Sequence, residues 1–336
     1  MAKRITMADV AREAGVSLQT VSRAINDKSE ISVDTKQRVL EVVKQLGFRP
    51  SGIARSLATR RTTSVGLVVP DITNPFFSEI ARGVEDVAHA HAYNVFLCNT
   101  DEDIQREKAV LDSLLEKQVD GLVLFSSRLD QKDLLERLGY FSFVVLVNRE
   151  INKELDGVRI ISIDDKTGAY QAVDYLHTIG RTKIGFVAGP ERSESNRKRF
   201  EGYLAAHKKN KQQVDPQLTY RCDKPDTFSG EQAAKKLLEA RPDINAFFAF
   251  NDLIAVGVLH ACQKLGYRVP KDVAIIGCDD IPLASMVTPA LSTLHIDKRE
   301  VGTAAMQILM ALIQEDHPIP VKTIFQSRLV LRQSTP

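Results

Sequence analysis

Apolar positions in the first fifty residues recur at three- and four-residue steps, the period of a helix with one buried face. Val10, Ala11 and Ala14 make such a stripe over residues 7–14, which Thr6 can cap with Asp9 three positions on. Gly15 then allows a tight turn. Val21 and Ala24 form the inward face of a second short helix capped by Ser17, leaving Leu18, Gln19, Ser22, Arg23 and Asn26 outward. Two short helices cross closely only if Ala11 stays small, Gly15 bends and Val21 locks one against the other, which is what a helix-turn-helix requires. A third helix is predicted over 33–46, capped by Ser32, with Val39, Val42, Val43 and Leu46 at core spacing and Gly47 as its stop.

Beyond Gly47, Pro50 stands at a helix-start position, and Ile53, Ala54, Leu57 and Ala58 share one stripe before Arg61. Helices shorter than roughly 12 to 15 residues are marginal in water, so this one needs a partner segment to persist. From Ser64 the pattern changes. The apolar runs SVGLVVP, YNVFLCN, DGLVLFS and FVVLV are separated by helix-length amphipathic stretches, and a second series, KIGFVAG, NAFFAF and VAIIGCD, follows. This alternation predicts parallel α/β sheet in two similar lobes. LSTLHID, one more helix and an extended stretch near TIFQSRLVLR complete the chain.

Charge sharpens this division. The net formal charge is +2, but residues 1–62 carry about +6 and the remainder about −4. A basic head on an acidic body suits attraction to a polyanion by one end of the molecule. Cys98, Cys222, Cys262 and Cys278 form no C-x-x-C pair and do not cluster with the seven histidines, so reduced thiols are expected. The first residues lack an apolar core of signal-peptide length, and no apolar run reaches the roughly 18 residues of a spanning helix. A cytoplasmic protein is expected, with no membrane partner. Catalytic signatures such as G-x-x-x-x-G-K-[ST], G-x-S-x-G or H-E-x-x-H are missing, which points away from an enzyme.

The strings TMADVAREAGVSLQTVSRAIN, GFRPSGIARSLATRR and SVGLVVPDITNPFF strongly resemble the lactose-repressor/galactose-repressor (LacI/GalR) family of bacterial regulators, along essentially the whole chain. The resemblance implies an all-α helix-turn-helix head and an α/β two-lobed sensor of the periplasmic-binding-protein-like type (type I), with parallel sheets. The expected division is a DNA-binding domain over 1–47, a hinge over 48–62, a first lobe from 63–162 and 292–321, and a second from 163–291 and 322–336. It further implies a homodimer on a pseudo-palindromic operator, whose affinity for double-stranded DNA is controlled by a small effector between the lobes.

By the same resemblance the second helix enters the major groove and reads bases through Leu18, Gln19 and Arg23. Arginine can make two hydrogen bonds to guanine, glutamine two to adenine, and leucine only apolar contact. Thr6, Ser17, Ser22, Asn26 and Ser32 are read as phosphate contacts, with helix capping the competing role for Thr6, Ser17 and Ser32. Ile53, Ala54 and Leu57 are assigned to the hinge, where Leu57 matches a leucine that wedges between base pairs.

Ligands of open parallel sheets bind beyond the carboxyl ends of strands. The family pattern selects Asp71, Phe76, Phe77, Ser126, Ser127, Asn148, Arg149, Arg197, Asn251 and Asp279 there, with Arg197 as the effector-binding arginine. A guanidinium and a carboxylate can hold vicinal hydroxyls while a phenyl face covers C–H groups, so the expected effector is a sugar or sugar phosphate and no cofactor or metal is expected. Pro225 stands where many relatives have an aromatic residue, with Phe228 nearby. Two alternatives are weighed. A carbon-catabolite-control regulator would use a phosphoprotein corepressor, but KREVGTAAMQILM lacks the tyrosine associated with that surface. A solute-binding protein would need an export signal and no basic head.

Overall fold

The computed structural model describes residues 5–25, 31–48, 61–315 and 320–336. The chain divides into two units, 1–62 and 63–336.

The first unit contains three helices, α1 (Met7–Ala14), α2 (Leu18–Ile25) and α3 (Val33–Leu46). Thr6 and Asp9 form a reciprocal capping box at the start of α1. Gly15 ends that helix at φ 65°, a left-handed conformation costly for any residue with a Cβ. Val10, Ala11, Ala14, Val21, Ala24, Val39 and Val42 close into a single core with Phe48, as their spacing predicts.

The second unit is a pair of three-layer α/β lobes. The first sheet has the order β11-β5-β4-β3-β1-β2. In chain order its strands are β1 (Ser64–Val69), β2 (Asn94–Asn99), β3 (Gly121–Phe125), β4 (Val144–Val147), β5 (Val158–Ile163) and β11 (Lys322–Phe325). All its pairings are parallel. Helices α4 (Pro75–Ala90) and α12 (Lys298–Gln314) cover one face through Ile80, Val84, Val301, Met306 and Leu309. On the opposite face, α5 (Ile104–Glu116) and α6 (Gln131–Leu138) bury Leu111, Leu114 and Leu134.

The second sheet runs β12-β10-β9-β8-β6-β7. Its strands are β6 (Ile184–Ala188), β7 (Thr219–Arg221), β8 (Ala246–Ala249), β9 (Ala274–Asp279), β10 (Ser292–His295) and β12 (Arg328–Val330). Only the β10–β12 pairing is antiparallel. Helices α7 (Asp165–Thr178) and α8 (Glu194–Lys209) lie on one face, and α9 (Thr227–Ala240) and α10 (Asp252–Lys264) on the other. A short helix, α11 (Pro282–Met286), follows β9.

The lobe boundaries differ from the expected ones near the C-terminus. β10, expected in the first lobe, pairs with β9 of the second sheet, Ser292 opposite Ile276. β11, expected in the second, pairs with β5 of the first sheet, Lys322 opposite Ile160. The cause is β5 itself: Arg159 and Ser162 interrupt its apolar run, so the strand that receives 322–325 is hard to see in the sequence. The chain therefore passes between lobes three times, after β5, after β10 and between β11 and β12.

Close helix crossings rest on glycine. A Cβ at Gly302 of α12 would lie 2.1 Å from the Ile80 carbonyl oxygen, and one at Gly83 of α4 would lie 2.2 Å from that of Arg299. The two helices touch backbone to backbone at these points.

Candidate functional site

In the head, α2 turns Val21 and Ala24 into the core and leaves Leu18 and Gln19 exposed, with Ser22 and Arg23 half-buried beside them. Leu18 is 53% exposed, which marks it as a surface leucine with no core role. Thr6, Ser17 and Ser32 each accept a backbone amide hydrogen bond from the helix they begin: Asp9 at 3.3 Å, Thr20 at 3.1 Å and Thr35 at 3.3 Å. Capping is thus a role all three fill, and all three remain exposed at helix N-termini, where phosphates bind well. Asn26, Ile53, Ala54 and Leu57 lie outside the described residues.

In the second unit, strand ends from both sheets and three helix starts converge on a narrow cavity between the lobes, about 40 Å³ in volume. Of the sequence-derived set, Phe76, Phe77, Ser126, Asn148, Asn251 and Asp279 line it. Phe76 and Phe77 meet edge to face, ring centroids 5.0 Å apart. Ser126, Asn148 and Asp279 all adopt positive φ, at 47°, 51° and 105°. Backbone strain of this kind costs roughly 1–3 kcal/mol per residue and clusters where function needs a particular orientation.

Arg199, not Arg197, lines this cavity from α8. Its Nε donates to Asp165 Oδ1 at 2.8 Å, its Nη1 donates to the Phe250 carbonyl, and its Nη2 lies 3.5 Å from Asp279 Oδ1. The guanidinium sits 4.9 Å from the Phe250 ring centroid, a cation–π distance. Burial opposes its charge, but the carboxylates of Asp165 and Asp279 outweigh burial and raise its pKa. Asp279 is pushed up to about 7, by burial first, with the Asp165 charge adding to it and Arg199 opposing.

Arg197 is more than half exposed and pairs with Glu201 and Glu194 along its own helix. The signal that separates the two arginines is periodicity: Ser195, Arg199, Gly202, Tyr203 and Ala206 form the buried stripe of α8, and Arg197 stands off it. A charged residue on an otherwise small and apolar stripe marks a buried ion pair. Arg149 also misses the cavity; with Arg197 it lines a neighbouring recess, and its Nη2 donates to the Leu129 carbonyl at 2.6 Å. Asp71 accepts from the Thr73 amide at 2.9 Å and Ser127 from the Leu129 amide at 3.2 Å, so both shape their own loops.

Several lining residues escape the sequence reading. Glu102 and Arg128 form a two-point ion pair in the first-lobe wall, with both side chains under 10% exposed. Asn74 and Ser193, also missed, cap α4 and α8 from inside the cavity wall, as the sequence-derived Asn251 caps α10. Pro225 does line the cavity, while Phe228 is 70% exposed and does not; the aromatic surface on the second-lobe side comes from Phe250.

The lobes also touch directly. Asn148 Nδ2 donates to Ser195 Oγ at 3.2 Å, the Glu150 amide donates to Glu194 Oε2 at 2.9 Å, and Lys224 of the second lobe pairs with Asp101 of the first at 3.2 Å. Glu150 takes Lys322 of its own lobe at 2.8 Å and Lys198 of the other at 3.0 Å. The hydrogen bond from Lys322, assisted by Lys198, holds its pKa down at about 2. Among the described residues no helix is long and apolar enough to cross a membrane, and no cluster of His, Cys, Asp and Glu could hold a metal ion.

Comparison with known proteins agrees with this architecture at both ends of the chain. Residues 6–51 match the model of bacterial regulatory proteins of the lacI family, and residues 173–335 match a periplasmic binding protein-like domain. The chain is 35% identical to the ribose operon repressor of Halalkalibacterium halodurans, covering 98% of this chain and 97% of that protein. It is also 35% identical to catabolite control protein A of Priestia megaterium, covering 98% and 99% respectively. The fold superposes on the lac repressor dimer bound to operator and the anti-inducer ONPF with a TM-score of 0.88, at 26% identity over 99% of both chains. A helix-turn-helix head with an exposed polar face, joined to a two-lobed sensor with a cavity between its lobes, is shared along the full length, and the chain belongs to the lacI family of bacterial regulatory proteins, the DNA-binding transcription regulators.

Proposed function

We propose that this protein is a repressor that binds a pseudo-palindromic operator as a homodimer and is controlled by a carbohydrate held between its sensor lobes. One observation carries the ligand half: a polar cavity in which buried Arg199 is fixed between Asp165 and Asp279, and which the edge-to-face pair of Phe76 and Phe77 also lines. Polar groups for hydroxyls on one side and phenyl faces for C–H groups on the other suit a sugar ring. Arg199, Asp279, Asn148, Asn251, Ser126, Phe76 and Phe77 are the residues we assign to it. Arg149, Arg197, Asp71 and Ser127 support loops or the neighbouring recess. The reading is supported by the relatives, among them a ribose operon repressor and a lac repressor dimer solved on its operator.

Leu18, Gln19 and Arg23 read base edges, and Thr6, Ser17, Ser22 and Ser32 hold phosphates, with Asn26 and the hinge residues Ile53, Ala54 and Leu57 completing the surface. One reading helix covers a short half-site, and two-fold symmetry doubles the contacts. The ligand acts by preferring one arrangement of the lobes, so that DNA affinity follows the population of that arrangement. Such a protein works in the cytoplasm, beside its operator, and performs no catalysis.

Selection of duplexes from a random pool, followed by titration with and without sugars, tests the proposal. A palindromic site should emerge, its affinity should change with one sugar, and Arg23→Ala should cost about 1–3 kcal/mol on that site. No preference over random DNA would sink the operator assignment; a preference unmoved by any sugar would sink the effector assignment.

A further inference from the structure

The charged groups in the cavity wall bear on the choice between a neutral sugar ring and its phosphate ester. Two cationic and two anionic side chains line the cavity, and each is already matched. Arg128 and Glu102 form one two-point pair, and Arg199 is held by Asp279 and by Asp165 behind it. With Asp165 and with Lys298, whose Nζ donates to the Asp279 carbonyl at 2.7 Å, the set carries no net charge when all are ionised. No lysine lines the cavity among the described residues.

Donors for an anion are also scarce at the helix starts. Three helices begin at the cavity, and helix N-termini ordinarily attract phosphate. Here Asn74 accepts from the Phe76 amide at 3.0 Å, Ser193 from Asn196 at 3.3 Å and Asn251 from Ile254 at 2.9 Å. Each cap occupies one of the amides that a phosphate would otherwise use, as the caps of the head helices also do.

What the wall does offer suits hydroxyl groups, which both donate and accept. Asp279 Oδ2 accepts no hydrogen bond among the described residues and can take one from a hydroxyl. Arg128 has five N–H groups, of which the ones on Nε and Nη2 reach Glu102 and one on Nη1 reaches the Ser126 carbonyl, so two remain for hydroxyl oxygens. A phosphate monoester carries between one and two negative charges near neutral pH, and its dianion only accepts. To bind it at the spare donors of Arg128, the site must set its negative charge beside the buried Glu102 carboxylate, whose charge already neutralises that guanidinium.

We infer that the effector is an uncharged polyhydroxyl ring, a free sugar or a nucleoside, and that Glu102 excludes phosphorylated forms by holding Arg128. This deepens the carbohydrate reading of the same cavity and rests on it. Glu102 is thus a specificity determinant: its carboxylate keeps Arg128, a guanidinium with two spare donors, from serving as a phosphate site.

The test is calorimetric titration of the full-length protein with D-ribose, D-glucose and cytidine, each beside its phosphate monoester. At least one neutral ring should bind at least about tenfold tighter than its monoester. Glu102→Gln should narrow that ratio by about tenfold by strengthening monoester binding, and the double variant Glu102→Gln/Arg128→Gln should lose the gain. A monoester binding as tightly as its parent to the unaltered protein would overturn the inference while leaving a sugar-controlled regulator in place. A Glu102→Gln protein that keeps the neutral ligand but gains no monoester affinity, or a double variant that keeps the gain, would overturn the role of Glu102. If no member of any pair binds and operator affinity ignores them all, the carbohydrate reading itself fails, and the inference with it. The comparison in the unaltered protein decides the ligand class even if a variant does not fold.

Discussion

At the scale of single residues, Asp279 concentrates the physics of the sensor. Its backbone is held at positive φ, its carboxylate is buried against Arg199, and burial pushes its pKa up to about 7. Since an unfolded aspartate titrates near about 3.9, the folded chain binds more protons than the unfolded one between about pH 4 and 7. Stability attributable to this group is therefore greatest below pH 4 and declines as pH rises towards 7. Asp279→Asn removes the titration, so thermal melts should show the natural protein losing stability relative to the variant as pH is raised across that window. Parallel curves would refute the shift. Arg199 gives the matching lesson about legibility. Arg197 and Arg199 are neighbours in GPERSESNRKRFEGY, and resemblance alone selects Arg197; the 3.6-residue stripe through Ser195, Gly202 and Tyr203 selects Arg199. The Glu102–Arg128 pair carries no such mark, because two residues 26 apart on separate loops meet only once the sheet is built.

At the scale of elements, most of the fold is written in periodicity. The three head helices with their caps, and strands such as β1, β3, β6 and β9, follow apolar runs bounded by turn residues. β5 and β7 do not. β5 carries Arg159 and Ser162 within its run, and β7 is only three residues long, so neither produces a clear alternation. Helix contacts are less legible still, since a glycine inside a helix reads as a weakness until its neighbour is known. Gly302 exists because α4 and α12 touch there. Gly302→Ala should lower stability by about 1–3 kcal/mol, through a Cβ driven into the Ile80 carbonyl, and chemical denaturation will measure it. An unchanged midpoint would mean that the helices can separate at no cost.

At the scale of the whole molecule, charge is divided between a head near +6 and a body near −4. Binding to DNA through the head releases counterions, so with six to ten phosphates contacted the operator affinity should fall by about 10³ or more between about 50 and 200 mM salt. Binding of an uncharged ring in the sensor should hardly change over the same range. A parallel fall in both titrations would contradict the neutral ligand. The division into head and sensor was readable from charge and rhythm together, whereas the exchange of β10 and β11 between lobes was hidden by the unread β5.

That exchange has a mechanical consequence. Three separate strands of backbone cross from one lobe to the other, at positions near 164, 297 and 326. A single tether would leave the halves free to twist, slide or drift apart. Three side by side permit little except a swing about the line they define, so whatever pulls the walls together on a bound molecule emerges as rotation along one fixed axis.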